Sequence, residues 1–255
     1  MQGIRYRFIT TQMPMPNTAT DFWDMVFYNK PSVIIMLNDD DRRNKNCVQY
    51  WLDNAVATFG SFSITTVSVS ENEGLIEREM RVTRNKSQSR HVVKQYQFLD
   101  WPKEAEQQEN RAPQLINLMT KVQETLRRSP EGSPVLVHCM NGVGRTGVFC
   151  STLECIAQVD EEDAVDVFHV VKMLRNERMQ FVQTKEEYSF IYDLIKEYLR
   201  GNEYEQPIGP EVSPSDHTYT CAESPTAPGS VQSEHVYAQL QEGTPNKLYT
   251  PLKVP

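Results

Sequence analysis

Hydrophobic positions along residues 1–202 alternate between a helical and a strand period. In Asn17–Asn29 the side chains of Phe22, Trp23, Val26 and Phe27 fall on one face, which predicts an amphipathic helix with Thr18 or Thr20 as N-cap. Val33–Leu37 is an unbroken apolar run of strand length, the pattern of a strand covered on both faces. Phe62–Val69 and Val92–Phe98 alternate in part, as strands packed on one face do. Leu115, Leu118, Met119, Val122 and Leu126 form a helical stripe, with Pro113 placed to open that helix. Pro134–Val137 is a short apolar strand, and helices around Ala164–Leu174 and Thr184–Leu199 close the pattern. The expected class is α/β: a twisted mixed sheet flanked by helices.

Beyond residue 202 this periodicity stops. Residues 203–255 hold eight of the fifteen prolines, no Phe or Trp, and seven acidic residues against two lysines. Such a segment buries too little apolar surface to offset its ordering entropy, and reads as a disordered tail. The expected domains are therefore a globular unit, 1–202, and a tail, 203–255.

Charge and cysteine usage narrow the function. The net charge of −8 argues against a nucleic-acid partner, which calls for a basic surface. No apolar run approaches the ~18 residues of a membrane span, and the N-terminus lacks a signal peptide's apolar stretch. Five cysteines with no CxxC pair suit free thiols in a reducing compartment, so the expected location is cytoplasmic. Asp39-Asp40-Asp41 is followed by Arg42 and Arg43 and reads as a solvated loop, and no metal or other cofactor is expected.

The segment that carries chemistry is His138-Cys-Met-Asn-Gly-Val-Gly-Arg-Thr-Gly147. A cysteine leaves a buried strand, enters a loop with glycines at 142, 144 and 147, and is followed by Arg145 and a helix-compatible run. Glycine lets loop N–H groups converge on a tetrahedral dianion, and the helix presents its positive end to the same spot. Arg145 can grip two phosphate oxygens through its planar fork. The same field would favour the Cys139 thiolate, making it a nucleophile. The phosphate cradle is expected to comprise Cys139, Met140, Asn141, Gly142, Val143, Gly144 and Arg145. A core cysteine at a strand end before a turn is the plainer alternative, but strand, glycines, Arg-Thr-Gly and helix coincide here.

These residues resemble the catalytic domain of the protein-tyrosine phosphatases. Phe8–Pro14, Asp21-Phe-Trp23, Ile34–Leu37, Cys47-Val-Gln-Tyr-Trp51 and Val182-Gln-Thr184 resemble further segments of that family. The resemblance implies hydrolysis of phosphotyrosine in proteins through a phosphocysteine on Cys139, with Arg145 binding the phosphoryl group and no metal required. It also implies that Thr146 supports the thiolate as leaving group, His138 tunes the cysteine and Gln183 positions the hydrolytic water.

Three departures qualify the resemblance. The family's general-acid aspartate follows Trp-Pro, and here Trp101-Pro102 is followed by Lys103. An ammonium cannot protonate the tyrosyl oxygen as a carboxylic acid does, which implies a slow enzyme; Asp100 and Glu104 are displaced substitutes. A second glutamine expected after Val-Gln-Thr is Glu187, which also completes a Thr184-x-x-Glu187 capping box. The family domain begins well before this chain does, and the earlier part would hold the phosphotyrosine recognition loop. The sequences Arg145–Cys150 and Val165–Lys172 resemble the membrane-distal second domain of receptor-type members. Those domains commonly lose the acid and serve as weak or regulatory modules that bind phosphotyrosine or sense redox state. Membrane attachment would then come only from an upstream segment.

The tail adds Tyr237-Ala-Gln-Leu240 and Tyr249-Thr-Pro-Leu252, with eight residues between them. The pair resembles tyrosine-based immunoreceptor activation motifs, and Tyr204-Glu-Gln-Pro207 resembles an adaptor SH2 site. SH2-domain proteins are thus candidate partners at Tyr204, Tyr237 and Tyr249, while chance and endocytic sorting signals give the same Tyr-x-x-Leu pattern.

Overall fold

The computed structural model describes residues 5–39, 47–85, 89–102, 105–205 and 238–239. Its elements are β1 (Phe8–Gln12), α1 (Ala19–Asn29), β2 (Val33–Met36), β3 (Val56–Phe59), β4 (Phe62–Asn72), β5 (Leu75–Arg84) and β6 (Arg90–Phe98), then α2 (Ala105–Arg127), β7 (Val135–Cys139), α3 (Gly144–Glu162), β8 (Ala164–Val165), α4 (Val167–Glu177), α5 (Lys185–Glu205) and β9 (Ala238–Gln239). Seven strands form one mixed sheet in the order β1-β7-β2-β6-β5-β4-β3. Strands β1, β7, β2 and β6 run parallel, and β6 to β3 continue as an antiparallel meander. This is the expected α/β class.

The apolar runs are continuous where both faces of the sheet are covered. Alternate residues of β2 and its extension divide between two cores: Val33, Ile35 and Leu37 face one, Ile34 and Met36 the other. The first core is filled by α2, α3, α4 and α5, through residues such as Leu115, Leu118, Leu153, Val170 and Leu194. The second is capped by α1 through Phe22, Trp23 and Val26. Strand β7 is buried along its whole length between β1 and β2, and the chain leaves the sheet there at Cys139.

Several local expectations are corrected. Thr18 holds the N-cap position of α1 but does not cap it; its hydroxyl accepts instead from the Met15 N–H at 3.0 Å. Pro113 does not open α2 but lies inside it, since the helix begins at Ala105. Proline removes one N–H from the ladder there, and the apolar stripe on the sheet outweighs that loss. The helix expected around Ala164–Leu174 is divided: Ala164–Val165 is a strand, and α4 starts after Asp166, whose side chain accepts from the His169 N–H at 2.9 Å. Helix α5, expected around Thr184–Leu199, covers Lys185–Glu205. In the tail, Ala238–Gln239 pairs antiparallel with Ala164–Val165.

Strand β5 had no counterpart in the sequence reading, and its centre explains why. Arg78 is 4% exposed in the middle of the sheet, where pattern reading expects an apolar residue. It is held by Asp53 (Nε–Oδ1 2.7 Å), by the side-chain oxygens of Gln95 (3.1 Å) and Gln97 (2.9 Å), and by the Trp51 ring 4.8 Å away. Removing the guanidinium leaves the buried Gln95 and Gln97 oxygens without this partner, while the exposed Asp53 regains water. Arg78→Leu should therefore lower unfolding free energy in urea by about 3 kcal/mol, the cost of two stranded acceptors. A loss under 1 kcal/mol would show that the network contributes little to the fold.

Candidate active site

Strand β7 delivers His138 and Cys139 between β1 and β2, with Gln12 in register with Cys139 and Met36 with His138. The chain then turns through Met140–Val143 into α3. What shapes this loop is the fate of its carbonyls. The Met140 carbonyl accepts from the Met13 N–H (3.1 Å), that of Gly142 from Arg178 Nε (2.9 Å), and that of Val143 from the N–H groups of Gly147 (3.0 Å) and Val182 (3.4 Å). These three carbonyls are taken up by Met13, Arg178, Val182 and the first turn of α3. On the donor side, the Gly142 N–H donates to Cys139 Sγ at 3.2 Å. The α3 N-cap, Val143, supplies no side-chain cap, so the first-turn N–H groups add an uncapped positive end.

The three glycines serve different ends. Gly142 has φ +70°, and a Cβ there would also strike the Thr11 backbone carbonyl. Gly147 lets α3 approach the backbone at Phe181 and Val182. Gly144 faces the carboxylate of Glu187, and a Cβ would collide with it. Only the first requires glycine's left-handed freedom; the others require its lack of a side chain.

Cys139 is buried, at 3% exposure, and Arg145 is half-buried beside it in the sequence of the loop. Arg145 donates to the Leu37 carbonyl at 3.0 Å and its guanidinium carbon lies 5.9 Å from the Trp101 ring centre. That fixes the arginine against β2 and the Trp-Pro segment. The Thr146 hydroxyl is buried without a hydrogen-bond partner among the described residues, which is a reason to look for a ligand or thiolate as its acceptor. Gln183 is exposed at the start of α5, after Gln180 and Val182, both with positive φ (66° and 56°). A β-branched residue at positive φ is strained, and such strain clusters at functional sites. No group of three or more His, Cys, Asp or Glu side chains that could hold a metal occurs among the described residues.

His138 sits directly behind the cysteine and is fully buried. Its Nε2 is 2.8 Å from the Tyr50 hydroxyl, which itself accepts from Gln95 Nε2 at 2.6 Å. The Nδ1 atom on the other side of the ring is buried without a hydrogen-bond partner among the described residues. Gln95 is one of the two glutamines held by Arg78, so a polar chain runs inward from the exposed Asp53 to the residue before the cysteine.

The comparisons agree with this geometry. A family model described as protein-tyrosine phosphatase matches residues 1–197. The chain belongs to the protein-tyrosine phosphatase family. Receptor-type tyrosine-protein phosphatase alpha of Mus musculus is 32% identical over 193 residues, covering 75% of this chain and 23% of that protein. Receptor-type tyrosine-protein phosphatase S of Gallus gallus is 33% identical over 193 residues, 75% of this chain and 13% of that protein. Tyrosine-protein phosphatase non-receptor type 5 of Homo sapiens is 32% identical over 202 residues, 78% of this chain and 35% of that protein. The chain spans about a quarter or less of the two receptor-type relatives.

For a tyrosine-phosphatase domain, the placement of the expected residues is uneven. Cys139, Met140, Asn141, Gly142, Val143, Gly144, Arg145 and Thr146 form one continuous loop and helix start, with His138 immediately behind. Lys103 and Glu104 lie outside the described residues, as do Tyr237 and Tyr249, while Tyr204 falls in the last turn of α5. Asp100 is exposed with φ 50°, and its N–H donates to Asp39 Oδ1 at 2.9 Å. No helix among the described residues is long and apolar enough to cross a membrane. Sequence reading missed Tyr50, Gln95 and Arg178 as parts of the site's support. Tyr50 lay inside the Cys47–Trp51 segment already singled out, whereas Gln95 and Arg178 carried no local signal.

Burial holds the His138 pKa down to about 3. The unfolded chain takes up this proton near pH 6.5, and the folded one does not. Stability is therefore present above pH 6.5 and is lost as pH falls toward 3. Between pH 6.5 and 5 the unfolding free energy should fall by up to about 1.4 kcal/mol per pH unit on account of this group. His91 is lowered by burial as well, so the measurement is the difference in slope between wild type and His138→Gln. Equal slopes would mean that His138 is not held neutral.

Proposed function

We propose that the domain hydrolyses phosphotyrosine in proteins, slowly, through a phosphocysteine on Cys139. The observation that supports this best is the Gly142 N–H on Cys139 Sγ within a loop whose carbonyls are bonded outward. In the first step the sulfur attacks phosphorus, an S–P bond forms, and the P–O bond to the tyrosine breaks. The departing phenolate must gain a proton. In the second step water attacks phosphorus, the S–P bond breaks, and phosphate leaves with the thiolate restored. Arg145 and the α3 N-terminus would hold the equatorial oxygens, Thr146 would stabilise the departing thiolate, and Gln183 would orient the water. We place the domain at residues 1–202 of the chain with a tail from 203, on the cytoplasmic side, with phosphorylated tail tyrosines as SH2 ligands.

Iodoacetate should alkylate Cys139 in preference to Cys150 and Cys155, which are fully buried and whose thiols burial pushes up. Vanadate should protect it, and Cys139→Ser should abolish turnover. Alkylation at an ordinary thiol rate, unprotected by vanadate, would sink the nucleophile assignment.

Lys103 favours a second reading, a regulatory domain that binds phosphotyrosine or responds to oxidants but turns over poorly. The phenol of tyrosine has a pKa of ~10 and needs a proton to leave, whereas an acidic phenol departs unaided. The chain should hydrolyse an activated aryl phosphate far better than a phosphotyrosine peptide. Lys103→Asp should raise kcat for the peptide by roughly 10²-fold and change the activated substrate less. Brisk wild-type peptide hydrolysis, unimproved by the substitution, would overturn the regulatory reading.

A further inference from the structure

Glu187 stands where the anion cradle meets the start of α5. Its N–H donates to Thr184 Oγ1 at 3.2 Å, one half of the expected capping box. Its carboxylate does not complete that box: Oε2 accepts from the Gln183 N–H at 2.6 Å, and Oε1 lies against Gly144, the first residue of α3. The side chain is half-buried and makes no ion pair among the described residues. The carboxylate thus lies at two helix N-termini, its own through the Gln183 N–H and that of α3 at Gly144. The second of these is the field that the cradle offers to an incoming anion.

We propose that Glu187 is a resident counter-anion at the edge of the cradle, which weakens the binding of oxyanion dianions while holding the Gln183 backbone in place. It acts as an affinity-determining residue through charge and as a positioning residue through the Gln183 N–H. The inference rests on the reading of residues 139–145 as a phosphate cradle. It follows from simple electrostatics: a carboxylate close to a bound dianion, partly shielded from solvent, opposes it more than an exposed charge would. A neutral amide of the same shape would keep the acceptor for Gln183 and remove the repulsion.

The test measures inorganic phosphate affinity by calorimetry on the full chain, for wild type, Glu187→Gln, Glu187→Asp and Arg145→Ala. Glu187→Gln should bind phosphate roughly three- to tenfold more tightly, and the gain should shrink as salt rises from 50 to about 500 mM. Glu187→Asp, which keeps the charge, should show no such gain. A change in loop packing alone would not follow ionic strength. If Arg145→Ala abolishes binding but Glu187→Gln equals wild type, the counter-anion proposal is overturned and the cradle stands. If none of the four proteins binds phosphate, the cradle reading fails and takes the proposal with it.

Discussion

The site depends on where one short loop sends its carbonyl oxygens. A backbone segment that turns from strand to helix carries as many acceptors as donors, and left to itself would present both to a ligand. Here Met13 after β1, Arg178 after α4 and Val182 before α5 each take a loop carbonyl. Three segments far apart in sequence thus polarise the loop, and none of these bonds survives without the sheet order that sets β7 between β1 and β2. The loop sits at the carboxyl ends of parallel strands, where open α/β sheets leave a crevice between diverging connections. The way its carbonyls are taken up is a property of the whole fold more than of the loop's own sequence.

Behind the loop runs a second constraint, costly in a different way. His138, Tyr50, Gln95, Gln97 and Arg78 are all buried polar groups. Each would cost about 1–3 kcal/mol if left without a partner. They are arranged so that Arg78 bonds both glutamines, Gln95 bonds Tyr50, and Tyr50 bonds Nε2 of His138. Apolar residues of similar volume could fill that space with less risk to stability. What the polar chain adds is orientation: the imidazole is held at Nε2, beside the residue expected to act as nucleophile. Phe22 and Trp23 of α1 close around Tyr50 with ring centres 4.6 and 5.7 Å away, so the aromatic core and the polar chain hold each other.

The readable parts of the sequence were those governed by neighbours along the chain. The apolar runs of β2 and β7 and the stripe of α2 follow from period alone, and the cysteine loop announces itself by local composition. What stayed hidden was settled by side-chain contacts that a hydrophobic period does not register, some distant and some within a turn. Strand β5 contradicts its own pattern at Arg78, because its ion partner Asp53 comes from the turn before β3 and its glutamine acceptors from β6. Thr18 turns away from its helix because the Met15 N–H competes for the same hydroxyl. Pro113 is tolerated inside α2 because Leu115, Leu118, Met119 and Val122 are anchored on the sheet. The capping box at Thr184 is half formed, since Gln183 and not Thr184 takes the Glu187 carboxylate.

The Trp-Pro segment is tied to the cysteine loop through its tryptophan. Trp101 is 8% exposed, with Phe98 and Phe190 rings 6.1 and 6.2 Å from it and Arg145 over its face. The backbone at Asp100 is pinned in the left-handed region by Asp39. The Phe190 ring that meets Trp101 belongs to α5, and the arginine over it belongs to the first turn of α3. The contacts that bury the tryptophan therefore also tie the segment before α2 to the start of α3, so the two are packed as one unit and a change in either reaches the other.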